Sequence, residues 1–551
     1  MTLPALRGLA AAATLAFAAL PAAQALAQNA KPKLIVAISI DQYSANLFDE
    51  WRGVYKGGLA RMAGGVAYRS GYQTHSGTET CPGHSTLLTG KHPNKTGIVA
   101  NAYLDPTTRR PVYCVSDSSV ALAHDAKASP VGPARLEAST LGDWLKAVSP
   151  QSRVVAVSGK DRAAITMAGH KADGVFWLFS GYGFTTYVPP GGDAAQALAP
   201  VAATNRRLAP RWTQAPTWTY QTPACRAAAT TVEIGGKTWE SKLPPDGYAA
   251  SIPAALINSP AGDEITGEAA RDLIKHYRLG QGPATDLLAV SFSATDWVGH
   301  RYGTRGPEMC EQMHRLDATL AKLFVDLDAL KIPYLVVLSA DHGGSDIPER
   351  LRTQGYPTAG RVSASAVMGR VNTALMAEFN LQKPPLAGSP EEAMLLEVAG
   401  VERDKLMAAA VRTLAAQPEL AAVFTRDELL GTPIRKGASP EEVSLKERFA
   451  MSTHPTRSPD ILGALQPLTS LGTGVNGDSR AGHGSPWNYD RRVPMLFWWK
   501  GAKAEDRFIP VETVDIAPTL AAAIGVTPPN DIDGRCLTLP AGSGVVCPKA
   551  P

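Results

Sequence analysis

The sequence predicts an α/β fold in which a mixed, mainly parallel central sheet is sandwiched between layers of helices. Two observations support this prediction. Short apolar runs, typical of buried parallel strands, alternate with segments of helical periodicity. Polar residues follow the carboxyl ends of these runs, and ligands bind at that edge of an open α/β sheet. The predicted strands are residues Leu34–Ile40, Val154–Val157, Leu287–Phe292, Tyr334–Leu338 and Val493–Trp499.

Helices fit between these strands. Apolar residues spaced three and four apart from Met313 to Leu330 predict a helix with one face on the sheet, and residues 514–524 predict another. Two stretches interrupt the alternation, at about 165–280 and about 345–480, and the second is mostly helical in pattern. We interpret both as inserted cap segments of a single domain at 28–551, because the candidate site residues lie before, between and after them. Separate appended domains are the alternative.

Composition and the N-terminus predict an exported protein. The chain has 551 residues, 44% hydrophobic content and a formal net charge of +4, without the basic clusters of nucleic-acid-binding proteins. Residues 1–27 predict a signal peptide, in which Arg7 precedes an Ala/Leu-rich segment and Ala25-Leu26-Ala27 forms the cleavage site. A membrane anchor is the alternative, but Pro21 and Gln24 interrupt the apolar run. We expect a periplasmic or secreted protein with no membrane anchor after cleavage, and a monomer.

Six cysteines in an exported chain predict up to three disulfides. Sequence proximity favours Cys536–Cys547, and for the others we expect Cys81–Cys114 and Cys225–Cys310. No pair has C-x-x-C spacing, so we do not expect a thiolate metal site.

Acids and imidazoles follow the predicted strands in a pattern that suits two metal ions. Asp296 and His300 are four residues apart, so on a helical turn their side chains share a face. Asp341 and His342 directly follow a strand. Carboxylate and imidazole ligands suit zinc, with manganese, iron and cobalt as alternatives. Each residue alone has an ordinary structural explanation, but the set predicts a two-metal site. The candidate ligands are Asp41, Asp296, His300, Asp341, His342 and His483.

Thr80 is the candidate nucleophile. The phrase Thr80-Cys81-Pro82-Gly83-His84 is typical of a helix start with Thr80 at the N-cap. A hydroxyl there lies at the positive end of the helix dipole, where phosphate also binds. Its pKa is too high for attack at neutral pH, and metal coordination would lower it. His84, one helical turn later, is a candidate to support the metal ligands. An ordinary N-cap threonine is the alternative.

Lys160 and Arg162 indicate the class of substrate. They follow a predicted strand two residues apart, so in an extended chain both point the same way. A phosphate monoester is nearly dianionic, and two cations can neutralise that charge, with arginine binding in a bidentate manner. A diester carries one charge fewer and an extra organic group. The pair therefore predicts monoesters, and a solvated charged loop is the alternative.

Together these phrases resemble the alkaline phosphatase superfamily, in its nucleotide pyrophosphatase/phosphodiesterase-like branch. The likeness is to bacterial periplasmic alkaline phosphatases of the PafA/PhoK type, which use a threonine nucleophile. It spans nearly the whole mature chain, including residues 514–520 as a last core helix. The resemblance implies a phosphomonoesterase that forms a phospho-threonine intermediate at a two-zinc site and serves phosphate scavenging. The matching residues are Asp41, Thr80, Pro82, Gly83, His84, Asn101, Lys160, Arg162, Asp296, His300, Asp341, His342 and His483.

The resemblance also implies individual roles. One zinc would take Asp41, Asp341, His342 and Thr80. The other would take Asp296, His300 and His483. Asn101 would donate to a phosphoryl oxygen, together with Lys160 and Arg162.

The sequence is also compatible with three other functions and with one additional ion. A phosphodiesterase or nucleotide pyrophosphatase could use the same metal site. A sulfatase would need a Cys-x-Pro-x-Arg phrase, which residues 81–85 do not match. A catalytically inactive binding protein would lack a ligand or the nucleophile. The acidic loop at Asp531 and Asp533 is a candidate site for an additional structural ion such as calcium, with surface solvation as the alternative.

Overall fold

The computed structural model describes residues 31–245, 251–475 and 479–548, so the predicted signal peptide lies outside the described residues. Within them, a ten-stranded sheet runs through the centre in the order β9-β2-β8-β7-β1-β6-β3-β4-β5, with β10 beside β2. Its strands are β1 (Leu34–Ile40), β2 (Val66–Tyr72), β3 (Val154–Ser158), β4 (Gly174–Phe179), β5 (Gly183–Thr185), β6 (Asp286–Phe292), β7 (Tyr334–Ser339), β8 (Arg492–Trp499), β9 (Glu505–Arg507) and β10 (Val511–Glu512).

Strand direction confirms a mixed, mainly parallel sheet. Strands β7, β1, β6, β3 and β4 pair in parallel. Strand β8 is antiparallel to both of its neighbours, β7 and β2. The expectation that Val493–Trp499 forms a parallel strand is therefore wrong. A continuous apolar run indicates that both faces of a strand are buried, but it carries no information about direction.

Helices cover both faces of this sheet and form two hydrophobic cores. In β1 the side chains alternate, so Ile38 belongs to one core together with Leu320, and Ile35 belongs to the other together with Leu87. The first core contains α3 (Pro260–His276) and α5 (Pro307–Ala329), and the second contains α1 (Thr80–Thr89), α2 (Asp161–Ala168) and α6 (Ile516–Ile524). A further helix, α4 (Ala294–Tyr302), follows β6. This layering is the predicted α/β sandwich.

The segment between β7 and β8 has a sheet of its own. Four antiparallel strands lie in the order Leu386–Gly388, Glu392–Leu395, Ile461–Leu465 and Leu420–Thr425. A separate hydrophobic core joins this small sheet to two helices, Ala364–Phe379 and Arg403–Ala415. Helices do predominate over strands in 345–480, as expected, but the small sheet itself was not predicted, because its strands are too short to show a period of two.

The remaining elements are short. Further helices are Ala45–Trp51, Gly58–Ala63, Pro93–Thr96, Leu141–Val148, Ala194–Leu198, Ala202–Leu208, Pro223–Arg226, Ile252–Ile257, Pro348–Thr353, Arg426–Leu430, Leu445–Ser452 and Asn488–Arg491. Further strands are Ala102–Leu104, Pro111–Tyr113, Ala121–Leu122, Tyr187–Val188, Thr231–Ile234, Lys237–Glu240, Gly360–Val362 and Thr469–Leu471.

The predicted disulfide pairings are confirmed. Cys81 bonds to Cys114, Cys225 to Cys310, and Cys536 to Cys547. Across the described ranges, none of the helices has both the length and the apolar character needed to cross a bilayer.

Candidate metal and phosphate site

The predicted ligands meet at one edge of the central sheet. Asp41 follows β1 and Asp341 follows β7, and the two strands are parallel neighbours. Asp296 lies in the first turn of α4, just after β6, which pairs with β1 on its other side. His483 reaches the same edge because it precedes β8, whose direction is opposite. The parallel strands therefore position the aspartates of the site, and the antiparallel strand β8 positions His483.

Three imidazoles are held in one tautomer by backbone carbonyls. Nδ1 of His300, His342 and His483 donates to the carbonyl oxygens of Ala481, Gly343 and Thr78, at 3.2, 2.8 and 2.8 Å. A carbonyl can only accept, so in each neutral imidazole the lone pair is on Nε2. These Nε2 atoms face the carboxylates: those of His300 and His483 lie 3.4 and 3.2 Å from Asp296 Oδ1. Metal-binding histidines typically have this arrangement.

Two groups of ligand atoms have the spacing that a cation requires. One group is Asp41, Asp341 and His342, and the other is Asp296, His342 and His483. Within each group, the ligand atoms lie within 4.8 Å of one another. His300 adds to the second group, because its Nε2 is 3.1 Å from that of His483. Two lone pairs at that distance repel unless a cation lies between them. His342 lies at the junction of the two groups, since its ring stacks on that of His483 at 3.7 Å.

Buried polar atoms without hydrogen bonds also support the interpretation that cations bind here. Within the described part of the chain, Asp41 Oδ1, Asp296 Oδ1, Asp341 Oδ2 and His342 Nε2 have no hydrogen bond, and Asp41 Oδ2 has only the ammonium group of Lys160 beside it. The side chains of Asp41, Asp341 and His342 are fully buried. Such groups are costly unless a partner neutralises them. The donor set of oxygen and imidazole nitrogen fits zinc.

Lys160 supplies a positive charge among these acids. Its Nζ lies 2.7 Å from Asp41 Oδ2 and 2.5 Å from Asp296 Oδ2. Burial opposes its charge, but the two carboxylates outweigh burial and raise the pKa of Lys160. Burial would raise the pKa of Asp296, but Lys160, His300 and His483 together outweigh burial, and the pKa is lowered well below its ordinary value. For Asp41, burial and the neighbouring charge of Asp341 raise the pKa well above its ordinary value.

Thr80 is the first residue of α1, with Glu79 at the N-cap, so the predicted N-cap position is wrong by one residue. Its hydroxyl is therefore not used to cap the helix. Instead, Lys160 Nζ and Arg162 Nη2 both donate to Thr80 Oγ1, at 3.4 Å each. Close packing holds α1 over the site, because a Cβ at Gly83 would lie 2.0 Å from the Asp341 carbonyl oxygen. The structure thus brings the candidate nucleophile and both cations together.

Lys160 and Arg162 reach Thr80 by a different geometry from the one expected. Lys160 has extended backbone at the N-cap of α2, whereas Arg162 lies inside the helix. The expectation of an extended pair is therefore wrong, although both side chains converge on one hydroxyl. Tyr113, which the sequence did not predict, holds Arg162 in place: its hydroxyl donates to Asp161 Oδ1 at 2.6 Å and accepts from Arg162 Nη1 at 3.3 Å.

Asn101 and a disulfide join the same network. The Asn101 side-chain oxygen accepts from the Cys81 N–H at 2.8 Å, directly after Thr80, which leaves its amide NH2 as a donor. The Asn101 carbonyl accepts from Cys114 N–H at 3.0 Å, and Cys114 bonds to Cys81. The disulfide therefore links the segments that carry Thr80, Asn101 and Tyr113. The neighbouring cysteine was the only sequence signal for Tyr113.

His84 supports the site as expected. Its Nδ1 lies 3.1 Å from Asp341 Oδ2 and 2.9 Å from the Thr80 carbonyl oxygen, and its Nε2 lies 2.8 Å from Ser291 Oγ. It therefore contacts both the segment of the candidate nucleophile and a candidate ligand.

Residues 35–486 match the family described as type I phosphodiesterase / nucleotide pyrophosphatase. The chain belongs to this family. Two family relatives are alkaline phosphatases by name. PhoK of Sphingomonas sp is 40% identical over 531 residues, covering 94% of this chain and 92% of that protein. PhoD of Zymomonas mobilis is 39% identical over 526 residues, covering 94% and 89%.

A solved structure agrees with this assignment. The crystal structure of wild-type alkaline phosphatase PafA superposes with a TM-score of 0.80 at 26% identity, covering 92% of this chain and 98% of that one. Murine ectonucleotide pyrophosphatase/phosphodiesterase 5 shares the fold alone, at 13% identity and a TM-score of 0.52. The predicted superfamily, fold and hydrolase class are confirmed.

The acidic loop considered for calcium has cationic partners in this family member. Asp531 pairs with Lys91 at 2.5 Å, and Asp533 pairs with Lys95 and accepts from the His92 N–H. Neither acid belongs to a group of candidate metal ligands in the described ranges. The lysines already neutralise the loop, and nothing in its geometry favours an additional ion.

Proposed function

We propose that the chain is an exported, zinc-dependent phosphomonoesterase that forms a phospho-threonine intermediate on Thr80. The observation that carries this proposal is the convergence of Lys160 and Arg162 on the Thr80 hydroxyl, beside the two candidate metal groups. The alkaline phosphatases PhoK and PhoD, similar over nearly the whole chain, support the same activity.

Two zinc ions fit the residues present. Asp41, Asp341, His342 and Thr80 would hold one. Asp296, His300 and His483 would hold the other. When bound, the ions supply Lewis acidity that lowers the pKa of the Thr80 hydroxyl and offsets the charge that develops on the departing alcohol.

The residues of the chain perform two displacements at phosphorus. In the first, Thr80 Oγ1 bonds to phosphorus and the bond to the substrate alcohol breaks, in line with the attack. Lys160 and Arg162 lie beside Thr80 Oγ1, so they contact the unshared oxygens of the phosphoryl group during transfer. The Asn101 amide donates to the same group. In the second displacement, water attacks phospho-Thr80, phosphate leaves and the hydroxyl is restored.

Charge favours monoesters over diesters. The transferred group of a monoester carries nearly two negative charges on three oxygens, and two buried cations match that charge. The alternative is a phosphodiesterase or nucleotide pyrophosphatase that uses the same metal groups, and the description of the family favours it. A diester would present an organic group where Lys160 and Arg162 lie.

The decisive test compares Thr80→Ala with a matched control on the same helix, Thr89→Ala. We expect Thr80→Ala to lose at least about a thousandfold in turnover of p-nitrophenyl phosphate while its zinc content stays near that of wild type. The Thr89 hydroxyl donates to the Ser85 carbonyl away from the site, so Thr89→Ala should keep its turnover. Turnover retained by Thr80→Ala would contradict the assignment of the nucleophile.

Metal dependence and export have separate tests. A chelator should abolish turnover of p-nitrophenyl phosphate, and zinc should restore it. Turnover that survives full removal of metal would contradict the zinc proposal. The three disulfides support export, because disulfides persist in oxidising compartments. Activity confined to the cytoplasm after cell fractionation would contradict export and a role in phosphate scavenging.

A further inference from the structure

A cavity of about 360 Å³ opens beside the two histidines of the second metal group. His300 and His483 line it, as do Glu391 and Glu392 at the start of the strand Glu392–Leu395 of the small sheet. Thr80, Lys160 and Arg162 do not line it. Most of its wall comes from the segment between β7 and β8.

The polar lining of this cavity is acidic. Glu79, Glu391, Glu392 and Asp490 contribute carboxyl groups, and no lysine or arginine of the described chain lines it. Asp490 is 1% exposed, and its Oδ1 has no hydrogen-bond partner within the described ranges, although its Oδ2 accepts from Ser485. An unpartnered, buried carboxylate oxygen is costly, so it indicates a ligand with a donor or a positive charge.

Two of these acids, Glu391 and Glu392, also have raised pKa values. Burial and the charge of Glu79 raise the pKa of Glu391 to about 7 and that of Glu392 to about 8. In the residues that the structure describes, the charged neighbours that shift the pKa of these two carboxyl groups are all acidic. A cation in the cavity would supply the missing charge.

The spacing of the acids excludes a single metal ion as the occupant. In the described ranges, no three of these carboxyl groups bring ligand atoms within 4.8 Å of one another. Aromatic rings of Tyr103, Phe449 and Tyr489 share the lining. Dispersed carboxylates with aromatic faces suit an organic ammonium group rather than a compact ion.

Position identifies which part of a substrate would enter. In-line displacement puts the departing alcohol opposite the attacking hydroxyl. Lys160 and Arg162 contact Thr80 Oγ1 and do not line the cavity, whereas His300 and His483 do. The alcohol portion of a phosphate monoester therefore points toward the acidic cavity.

We propose that this cavity is a subsite for the leaving alcohol and that it favours alcohols bearing an ammonium group, so that aminoalkyl phosphates are preferred substrates. This inference rests on the proposed phosphomonoesterase function. A second anionic group on the alcohol would meet four carboxylates and be disfavoured. The subsite thus adds selectivity to a site that otherwise recognises only the phosphoryl group.

The test uses two esters of nearly the same shape, choline phosphate and 3,3-dimethylbutyl phosphate, which differ in the charge of one atom. The measured quantity is the ratio of their kcat/KM values. We expect Glu391→Gln/Glu392→Gln to lower this ratio about tenfold relative to wild type. Comparing the ratio between enzymes cancels the intrinsic reactivity of the two esters. The control is Glu397→Gln, which removes an exposed acid that does not line the cavity and should keep the wild-type ratio.

A second measurement needs no variant. Choline should inhibit the wild-type enzyme competitively with a Ki about tenfold lower than that of 3,3-dimethylbutanol. Equal inhibition constants, or a double-variant ratio within about twofold of wild type, would overturn the subsite. Turnover of p-nitrophenyl phosphate by wild type distinguishes failure of the subsite from failure of the proposed function. If wild type turns over this ester and the double variant keeps the wild-type ratio, only the subsite is wrong. If wild type does not turn over this ester, the proposed function fails as well.

Discussion

Asp263 should make the stability of this enzyme depend on pH, through the helix that carries two candidate ligands. Asp263 lies on α3 and is 1% exposed. Its Oδ1 accepts from the Ala294 N–H at 2.9 Å, at the start of α4, and its Oδ2 accepts from Gln312 Nε2 at 2.7 Å. Burial outweighs these hydrogen bonds and raises the pKa of Asp263 from its ordinary value of 3.8 to about 7.

The raised pKa of Asp263 determines whether stability rises or falls with pH. A raised pKa in the folded state means that stability is fully present below pH 3.8 and is lost as pH rises through about 7. The whole loss is about 4 kcal/mol, of which about 3 kcal/mol falls between about pH 5 and pH 8.5. Asp263→Asn cannot ionise and lacks this loss. Any constant cost of rearranging Gln312 cancels when the two pH values are compared.

The assay is urea unfolding followed by tryptophan fluorescence, in chelator and with the disulfides intact. We expect the free energy of unfolding of Asp263→Asn, relative to wild type, to rise by about 3 kcal/mol from pH 5 to pH 8.5. The exposed Glu397→Gln variant should show no such change. If the Asp263→Asn difference is the same at both pH values, the carboxylate is ionised throughout and the hydrogen bonds, not burial, control it.

Three further predictions concern the phosphate pocket. Lys160→Met should lower the free energy of unfolding in chelator by about 3–5 kcal/mol, because two buried carboxylates lose their cation, and zinc should shrink that loss. Equal losses in urea unfolding with and without zinc would contradict it. Arg162→Ala should reduce kcat/KM at least about a hundredfold for p-nitrophenyl phosphate but under about tenfold for bis(p-nitrophenyl) phosphate; equal losses would remove the basis for monoester preference. Tyr113→Phe should raise KM for the monoester about fivefold with a smaller change in kcat, because Arg162 loses an oriented partner; an unchanged KM would show that Arg162 holds its position without it.

Local periodicity accounts for the parts of the site that the sequence predicts well. Asp296 and His300 share a helical face because four residues make about one turn, and α4 has that geometry. The structure also requires the glycine between them, because a Cβ at Gly299 would lie 1.7 Å from Gln42 Oε1. The strand-end positions of Asp41 and Asp341 follow from apolar runs that end at the acid.

Tertiary pairing accounts for the parts that the sequence does not predict. Thr80 misses the N-cap by one residue because the boundary depends on the extended backbone of Glu79. The contact between Tyr113 and Arg162 joins two segments that no helical or strand periodicity in the sequence relates to each other. The position of His483 depends on the direction of β8, which burial patterns do not encode.

Lys160 between Asp41 and Asp296 has a consequence for the order in which the enzyme matures. The candidate ligands span the chain from Asp41 to His483, so the complete set exists only once almost all of the sheet has assembled. In the assembled sheet, the ammonium group of Lys160 offsets the repulsion between the clustered acids even without ions. The polypeptide can therefore finish folding first, and its candidate ligands remain able to bind ions afterwards.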